Sequence, residues 1–237
     1  MRLMESGVRR ATGGDAAVLS MVLADALMNQ RLGAWLVPDP AERPTVLQRY
    51  ARLVVAQGLA HGQVDTTDDR DAVAIWYSRL APPPASAVWM YDLHRVLGVH
   101  AARFGLLHAY VDAVHPHTAH HYLAHLAVAA DRRQAGVGSA LLAGYHRSLD
   151  AVGLPSYAEV STDRPREGLL ARLGYIPRSP ILLEPGGPVL WRMWRPPARA
   201  GRPGDATGDE LPARVRVERT ATPFRGAVLL TASPRSP

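Results

Sequence analysis

The sequence predicts an α/β fold of the α+β kind, one domain over residues 6–196 followed by a tail. Three observations carry this. Stretches of strand character alternate with helical periodicity up to Arg195. Two pairs of strands are joined by hairpin signals, the acidic turn Asp68-Asp69-Arg70-Asp71 and the turn Glu184-Pro185-Gly186-Gly187-Pro188. Between them, residues 121–145 run from an apolar strand through a basic, glycine-bearing turn into a helix. At 237 residues the chain is long enough to bury one ample core.

Residues 8–11 form a short strand, and Thr12-Gly13-Gly14-Asp15 is a turn offering Thr12 or Asp15 as an N-cap. Leu19, Val22, Leu23 and Ala26 fall on helical spacing, which predicts a helix over 16–30. Trp35 to Pro40 breaks that pattern. Thr45 then caps a second helix over 46–57, ended by the region of Gly58 and Gly62. Residues 63–67 and 72–78 are the strands of the first hairpin, and Pro82-Pro83-Pro84 stops the second of them. Residues 87–114 are mainly helical. A strand over 122–128, a helix over 139–149, a strand over 155–161 and a short helix over 166–173 with Gly174 past its end follow. Residues 181–183 and 189–194 make the final hairpin. From 197 to 237 the composition turns to Pro, Gly and Arg, as in a linker or disordered tail, with a stray strand at Val215, Val217 and 227–230 as the alternative.

Composition narrows the function classes. There is no cysteine, so disulfides, thiol nucleophiles and thiolate metal sites are excluded. No apolar run reaches the ~18–20 residues of a membrane span, and residues 1–5 carry no secretory h-region; a cytoplasmic protein that uses no membrane is expected. All 27 basic residues are arginine and the net charge is +6. Seven arginines against four acids lie after Arg195, so half of that excess falls outside the expected domain. This argues against a nucleic-acid partner, and a modest basic surface also suits an anionic coenzyme.

The turn Arg133-Gln134-Ala135-Gly136-Val137-Gly138 is the most informative stretch. The first N–H groups of a helix lack internal partners, and the peptide dipoles make that end positive. Gly136 and Gly138 lack a Cβ, so a ligand can approach the backbone. The pattern is neither the dinucleotide fingerprint nor a nucleotide-triphosphate loop.

These residues resemble the R/Q-x-x-G-x-G/A signature of the GNAT superfamily of N-acetyltransferases. The element order of residues 6–196 is similar too. Gly62-Gln63-Val64, Ala72 through Trp76, Gly153-Leu154-Pro155 and Arg172-Leu173-Gly174-Tyr175 resemble, more narrowly, its puromycin N-acetyltransferase branch. The resemblance implies a central mixed, twisted sheet of six to seven strands flanked by helices, with one strand splayed at the cofactor site. It implies acetyl-CoA as co-substrate and no metal. Leu126, Ala127, Val128, Arg133, Gln134, Ala135, Gly136, Val137, Gly138 and Ser139 would bind it, with backbone N–H groups near Ala127 and Val128 facing the thioester oxygen. The acceptor would be the primary amine of a small molecule such as an antibiotic or biosynthetic intermediate, and the protein a monomer or homodimer.

Two residues are candidate bases. Glu159 matches a glutamate of that branch; its alternative is a strand-end carboxylate in solvent or paired with arginine. His125 suits proton abstraction near neutral pH and alternates with Leu123 and Ala127; its alternative is a packed core histidine. Trp35, Trp89 and Tyr91 are expected to wall the acceptor pocket. His115, His117, His120, His121 and His125 fit no metal-ligand spacing and read as a solvated loop. One departure stands out. Leu169 and Leu170 occupy the positions where relatives carry a tyrosine that protonates the leaving sulfur, and Tyr175 aligns with a packing aromatic. Acyl-CoA binding without acetyl transfer is the competing expectation.

Overall fold

The computed structural model describes residues 7–81, 87–184 and 186–198. The strands are β1 (Val8–Arg10), β2 (Gln63–Thr67), β3 (Ala72–Arg79), β4 (His120–Val128), β5 (Ser156–Ser161), β6 (Ile176–Leu182) and β7 (Val189–Arg195). The helices are α1 (Ala16–Met28), α2 (Arg31–Leu36), α3 (Arg43–His61), α4 (Ala87–Leu97), α5 (Ala101–Ala113), α6 (Val137–Ala151) and α7 (Leu169–Arg172). The strands form one sheet in the order β1-β2-β3-β4-β5-β7-β6. Only β4 and β5 run parallel; every other neighbouring pair is antiparallel. No described helix is long and apolar enough to cross a membrane. The expected tail lies outside the described residues beyond Ala198, as does the proline run at 82–84.

The sheet separates two apolar clusters. Leu19, Leu47, Val54, Ile75 and Phe104 lie in one, formed with α1 to α5. Ala74, Trp76, Leu123, Leu141 and Met193 lie in the other, under α6. Alternation along β3 produces this division, since successive side chains leave a strand on opposite faces. At the start of α1, the Thr12 N–H donates to Asp15 Oδ2 at 2.8 Å, and Arg9 clamps the same carboxylate with two bonds of 2.9 Å. Those bonds hold Asp15 well below the usual carboxylate pKa.

Several boundaries differ from the sequence reading, for local reasons. The second helix begins at Arg43 with Glu42 as its N-cap, not at Thr45, because Pro44 fits the first turn, where no N–H is needed. It also passes through Gly58, where a Cβ would lie 2.8 Å from Ile75 Cγ2; the glycine lets the helix sit close on the sheet. Trp35 falls in α2 rather than in a break. The helix expected over 166–173 shrinks to Leu169–Arg172. β6 starts five residues earlier than expected because it is an edge strand, where Pro177 and Pro180 owe no ladder N–H; the register shifts between them.

β4 contains the irregularity that shapes the site. Ile75 pairs with His125 and Trp76 with Leu123, so Ala124 is an extra residue on β4. The bulge reverses the alternation. Leu123 packs into the cluster under α6, and Ala127 into the opposite one. The expectation that Leu123, His125 and Ala127 share one face is therefore corrected.

Gly33 tests the packing of α2 on α1. A Cβ there would lie 2.1 Å from the Leu27 carbonyl oxygen, a backbone atom with little room to move. Gly33→Ala is expected to cost ~1–3 kcal/mol, as overpacking does, lowering the melting temperature by several degrees. Gly13→Ala, whose Cβ would meet nothing within 4 Å, should melt with the parent. Equal melting of all three proteins would contradict this packing.

Candidate active site

The parallel pairing of β4 with β5 covers only His121–Ser156, Tyr122–Tyr157 and Leu123–Ala158. Beyond it β4 stays on β3 as far as Val128, while β5 follows β7 through Glu159, Val160 and Ser161. The two strands part, and a cavity of about 570 Å³ opens between them, reaching α5 on one side and α7 on the other. The parting leaves backbone groups of β4 without strand partners. The Ala129 N–H donates to Asp71 O at 2.7 Å, on the β3 side. Alternation then turns the N–H groups of Val128 and Leu126 toward the gap. The Val128 carbonyl, on the same side, accepts from Arg133 Nε at 3.2 Å. Ala127, expected to offer its N–H, instead faces Val73 on β3; the N–H of its neighbour Leu126 is the one on the gap side.

The glycine turn leads from this edge into α6. Gly136 is the N-cap residue, with φ +82°, and a Cβ there would meet nothing within 4 Å. Gln134 also has positive φ, at +64°. Val137, Gly138 and Ser139 open the helix, so their N–H groups have no partner within it; the first bond back is Ala140 N–H to Gly136 O at 3.0 Å. Gln134, Ala135 and Gly136 are exposed and Ser139 half-buried, leaving this terminus open to an anionic group such as a diphosphate. Gly138 also meets a packing requirement: a Cβ would lie 2.8 Å from Leu169 Cδ2, so its absence lets α7 pack against α6. Arg132 is tied to Asp71 at 2.7 Å, and Arg133 is exposed.

Glu159 is the first residue of β5 beyond the paired segment, and it lines the cavity. Its Oε1 is closed to solvent and has no partner at hydrogen-bond geometry. Burial raises the carboxyl pKa to about 7, although the nearby phenols of Tyr122 and Tyr157 favour its charged form. His125 lines the same cavity, edge-on to Tyr50 with ring centroids 6.4 Å apart. Burial lowers its pKa to about 4, so it is neutral at pH 7. His108, unremarked in the sequence, lies beside it: its Nε2 is 3.3 Å from Tyr50 Oη, its ring is edge-on to Trp89, and burial brings its pKa to about 3.

Of the three expected pocket aromatics, only Trp89 lines the cavity. Trp35 is buried in the cluster under α1 and α3, with the Arg103 guanidinium over its ring at 5.7 Å. Tyr91 is exposed on the outer face of α4. Leu169 and Leu170 line the cavity on the α7 side. Tyr175 lies elsewhere, bonded to Ser156 Oγ at 2.9 Å and to His146 Nε2 at 3.0 Å in the core.

The histidine cluster is not the solvated loop expected. His120 is fully buried, with Nδ1 at 2.6 Å from Thr118 O and Nε2 at 3.1 Å from His115 Nε2. His121 bonds the Tyr145 hydroxyl at 2.8 Å, and only His117 is exposed. Among the described residues no group of three or more His, Asp or Glu is placed to hold a metal ion. Tyr122 and Arg79 also line the cavity. Their sequence signal was no more than a strand tyrosine and a strand-end arginine.

No protein-family model matches the chain. Among solved structures it is similar to a Corynebacterium glutamicum protein described as histone acetyltransferase HPA2 and related acetyltransferase. The identity is 28%, over 81% of this chain and 97% of that one, with a TM-score of 0.60. A mosquito arylalkylamine N-acetyltransferase like 5b (15% identity, 80% and 99% covered, TM-score 0.54) and an agmatine N-acetyltransferase (15%, 79% and 98%, 0.51) share the fold. The chain has the fold of the GNAT acetyltransferases: a seven-stranded mixed sheet flanked by helices.

The buried carboxyl makes a stability prediction. An unfolded Glu159 titrates near its ordinary 4.5, and the folded one near 7. Between these values the folded state keeps a proton that the unfolded chain has released, so this group's contribution to stability falls as pH rises. Glu159→Gln should therefore gain on the parent as pH goes from 4 to 8, by ~1–3 kcal/mol. Denaturant unfolding at a series of pH values reads the difference. A difference independent of pH would place the carboxyl in water.

Proposed function

We propose that the chain transfers an acetyl group from acetyl-CoA to the primary amine of a small molecule, such as an amine antibiotic or a biosynthetic intermediate. The observation that carries this reading is the parting of β4 and β5 beside the open N-terminus of α6, with Glu159 at the closed end of the gap. The similarity to the Corynebacterium acetyltransferase supports it. Residues 6–196 would be the catalytic domain.

Acetyl-CoA supplies an acyl thioester with a thiolate as leaving group. The N–H groups of Val137, Gly138 and Ser139 suit its diphosphate, with Gly136 allowing close approach. The N–H groups of Leu126 and Val128 face the gap and would donate to the thioester oxygen, where negative charge develops during attack. Glu159 takes the proton of the amine. With a pKa near 7 it is partly ionised at neutral pH and strong enough to hold the proton it receives. His125 is the weaker choice, because a group titrating near 4 holds a proton about a thousandfold less well at that pH. Leu169 and Leu170 offer the departing sulfur no proton, so the thiolate leaves unassisted or is protonated from water. A thiol of ordinary pKa about 8.5 makes that tolerable. The same leucines favour a second reading, acyl-CoA binding without acetyl transfer.

Calorimetry with acetyl-CoA is expected to show binding that Gly136→Asp abolishes, by setting a carboxylate against the phosphates. A free-thiol release assay over aminonucleosides and other amine antibiotics should find an acceptor whose kcat/KM rises with pH through about 7. Glu159→Gln should remove that limb and lower kcat by ~10²–10⁴ while leaving acetyl-CoA affinity unchanged. No binding at millimolar coenzyme would end the reading. Binding without turnover of any amine would favour the second one. Turnover lost in His125→Ala but kept in Glu159→Gln would move the base.

A further inference from the structure

The acceptor half of the cavity contains a cation that the chemistry above does not use. β3 ends on Arg79, whose guanidinium lies over the rings of Tyr77 and Tyr122, 5.4 and 5.8 Å from their centroids. It lines the cavity, is half-buried, and is the one arginine among the lining residues. Among the described residues its guanidinium has no hydrogen-bond or ion-pair partner. Ring faces attract a cation but accept few of the five N–H donors that a guanidinium presents in a planar fork. Burial opposes its charge as well, pulling its pKa below the ordinary arginine value. A partly desolvated cation with unmet donors at the wall of a ligand cavity is matched when the ligand brings the acceptor.

The groups around it narrow the ligand further. The other ionisable side chains facing this part of the cavity are Asp112 from α5, Glu159 from β5, His115 and the exposed His117 beyond α5, and the two tyrosines. His115 is held neutral by burial, its pKa lowered to about 3. The cavity thus pairs one cationic fork with carboxyl groups and has no net excess of positive charge. A simple anion meets the carboxyls unfavourably, and a simple amine leaves the fork unmet. A molecule carrying both an amine and an anion satisfies both. The rest of the wall, with Tyr50, Trp89, His108 and His125, suits an apolar or aromatic body.

We propose that the acceptor is an amino acid or a close derivative with a free carboxylate, and that Arg79 binds this carboxylate while the amine lies toward Glu159. The inference rests on the acetyl-transfer reading: the new C–N bond forms, the C–S bond breaks, and the amine proton goes to Glu159. Arg79 then determines specificity, acting on the part of the acceptor that does not react.

The test uses amino acids and the amines they give on decarboxylation as matched pairs in the thiol-release assay, with the parent protein and Arg79→Met. For the best pair, the parent should prefer the carboxylate-bearing acceptor at least tenfold in kcat/KM, mostly through KM. Arg79→Met should abolish that preference while binding acetyl-CoA as before, which shows that the fold is intact. An equal or better rate with the decarboxylated amine, or a preference that survives Arg79→Met, would overturn the proposal. Calorimetric titration with N-acetylated amino acids and their neutral amides, at the same coenzyme concentration, separates the two readings. Carboxylate-selective binding that depends on Arg79, without turnover of any amine, keeps the anion site and ends the acetyl-transfer reading. Absence of such binding ends the proposal.

Discussion

A parallel strand pair that stops after three residues is the feature on which the rest of this site depends. β4 and β5 are held to different neighbours: β4 remains on β3 through Val128, and β5 remains on β7 through Ser161. The extra residue at Ala124 bends β4 at the point where they part. Every consequence of chemical interest follows from that parting. It frees the N–H groups of Leu126 and Val128, opens the cavity, places Glu159 at its closed end, and directs β4 into the glycine turn that starts α6. A sheet paired along its whole length would have buried those amides in a ladder and left no room for a thioester.

Burial then sets the protonation states. Removing water penalises charge, so His108, His115 and His125 stay neutral at pH 7 and Glu159 is brought close to it. Three histidines that in solution would titrate near neutrality thus become polar wall, and a glutamate becomes the lining group that titrates near pH 7. The ordering reverses what the residue names suggest. It follows from one cause acting on two kinds of group: burial disfavours the charged form, which raises a carboxylic acid and lowers an imidazolium.

The element order, the two hairpins and the strand–turn–helix unit were legible in the sequence because alternation, turn residues and glycine placement are local signals. Gly136 was legible as a turn glycine without a Cβ, and the structure adds why the backbone favours it, a φ of +82° at the helix start. Gly138 was legible as a requirement but not in its cause, since Leu169 approaches it from 31 residues away. The bulge at Ala124 left no mark, and with it went the reading of which face His125 shares. Trp35, Trp89 and Tyr91 are similar in a sequence pattern. Only the packing of α4 and α5 decides that Trp89 meets the cavity while Tyr91 meets solvent. Arg79 and His108 were passed over because a strand-end arginine and a lone helical histidine are ordinary until the chain brings them together. The His115–His120 pair was misread because a polar loop composition does not reveal that its ends fold under the sheet.

The central claim is that the gap between β4 and β5, with the start of α6, is where an acyl thioester lies. Residue-resolved amide hydrogen exchange with and without acetyl-CoA tests it most directly. The account predicts slower exchange at Leu126, Val128, Val137, Gly138 and Ser139, with the edge strand β6 unchanged. Binding that leaves those amides unprotected, or protects a different face of the sheet, would contradict it.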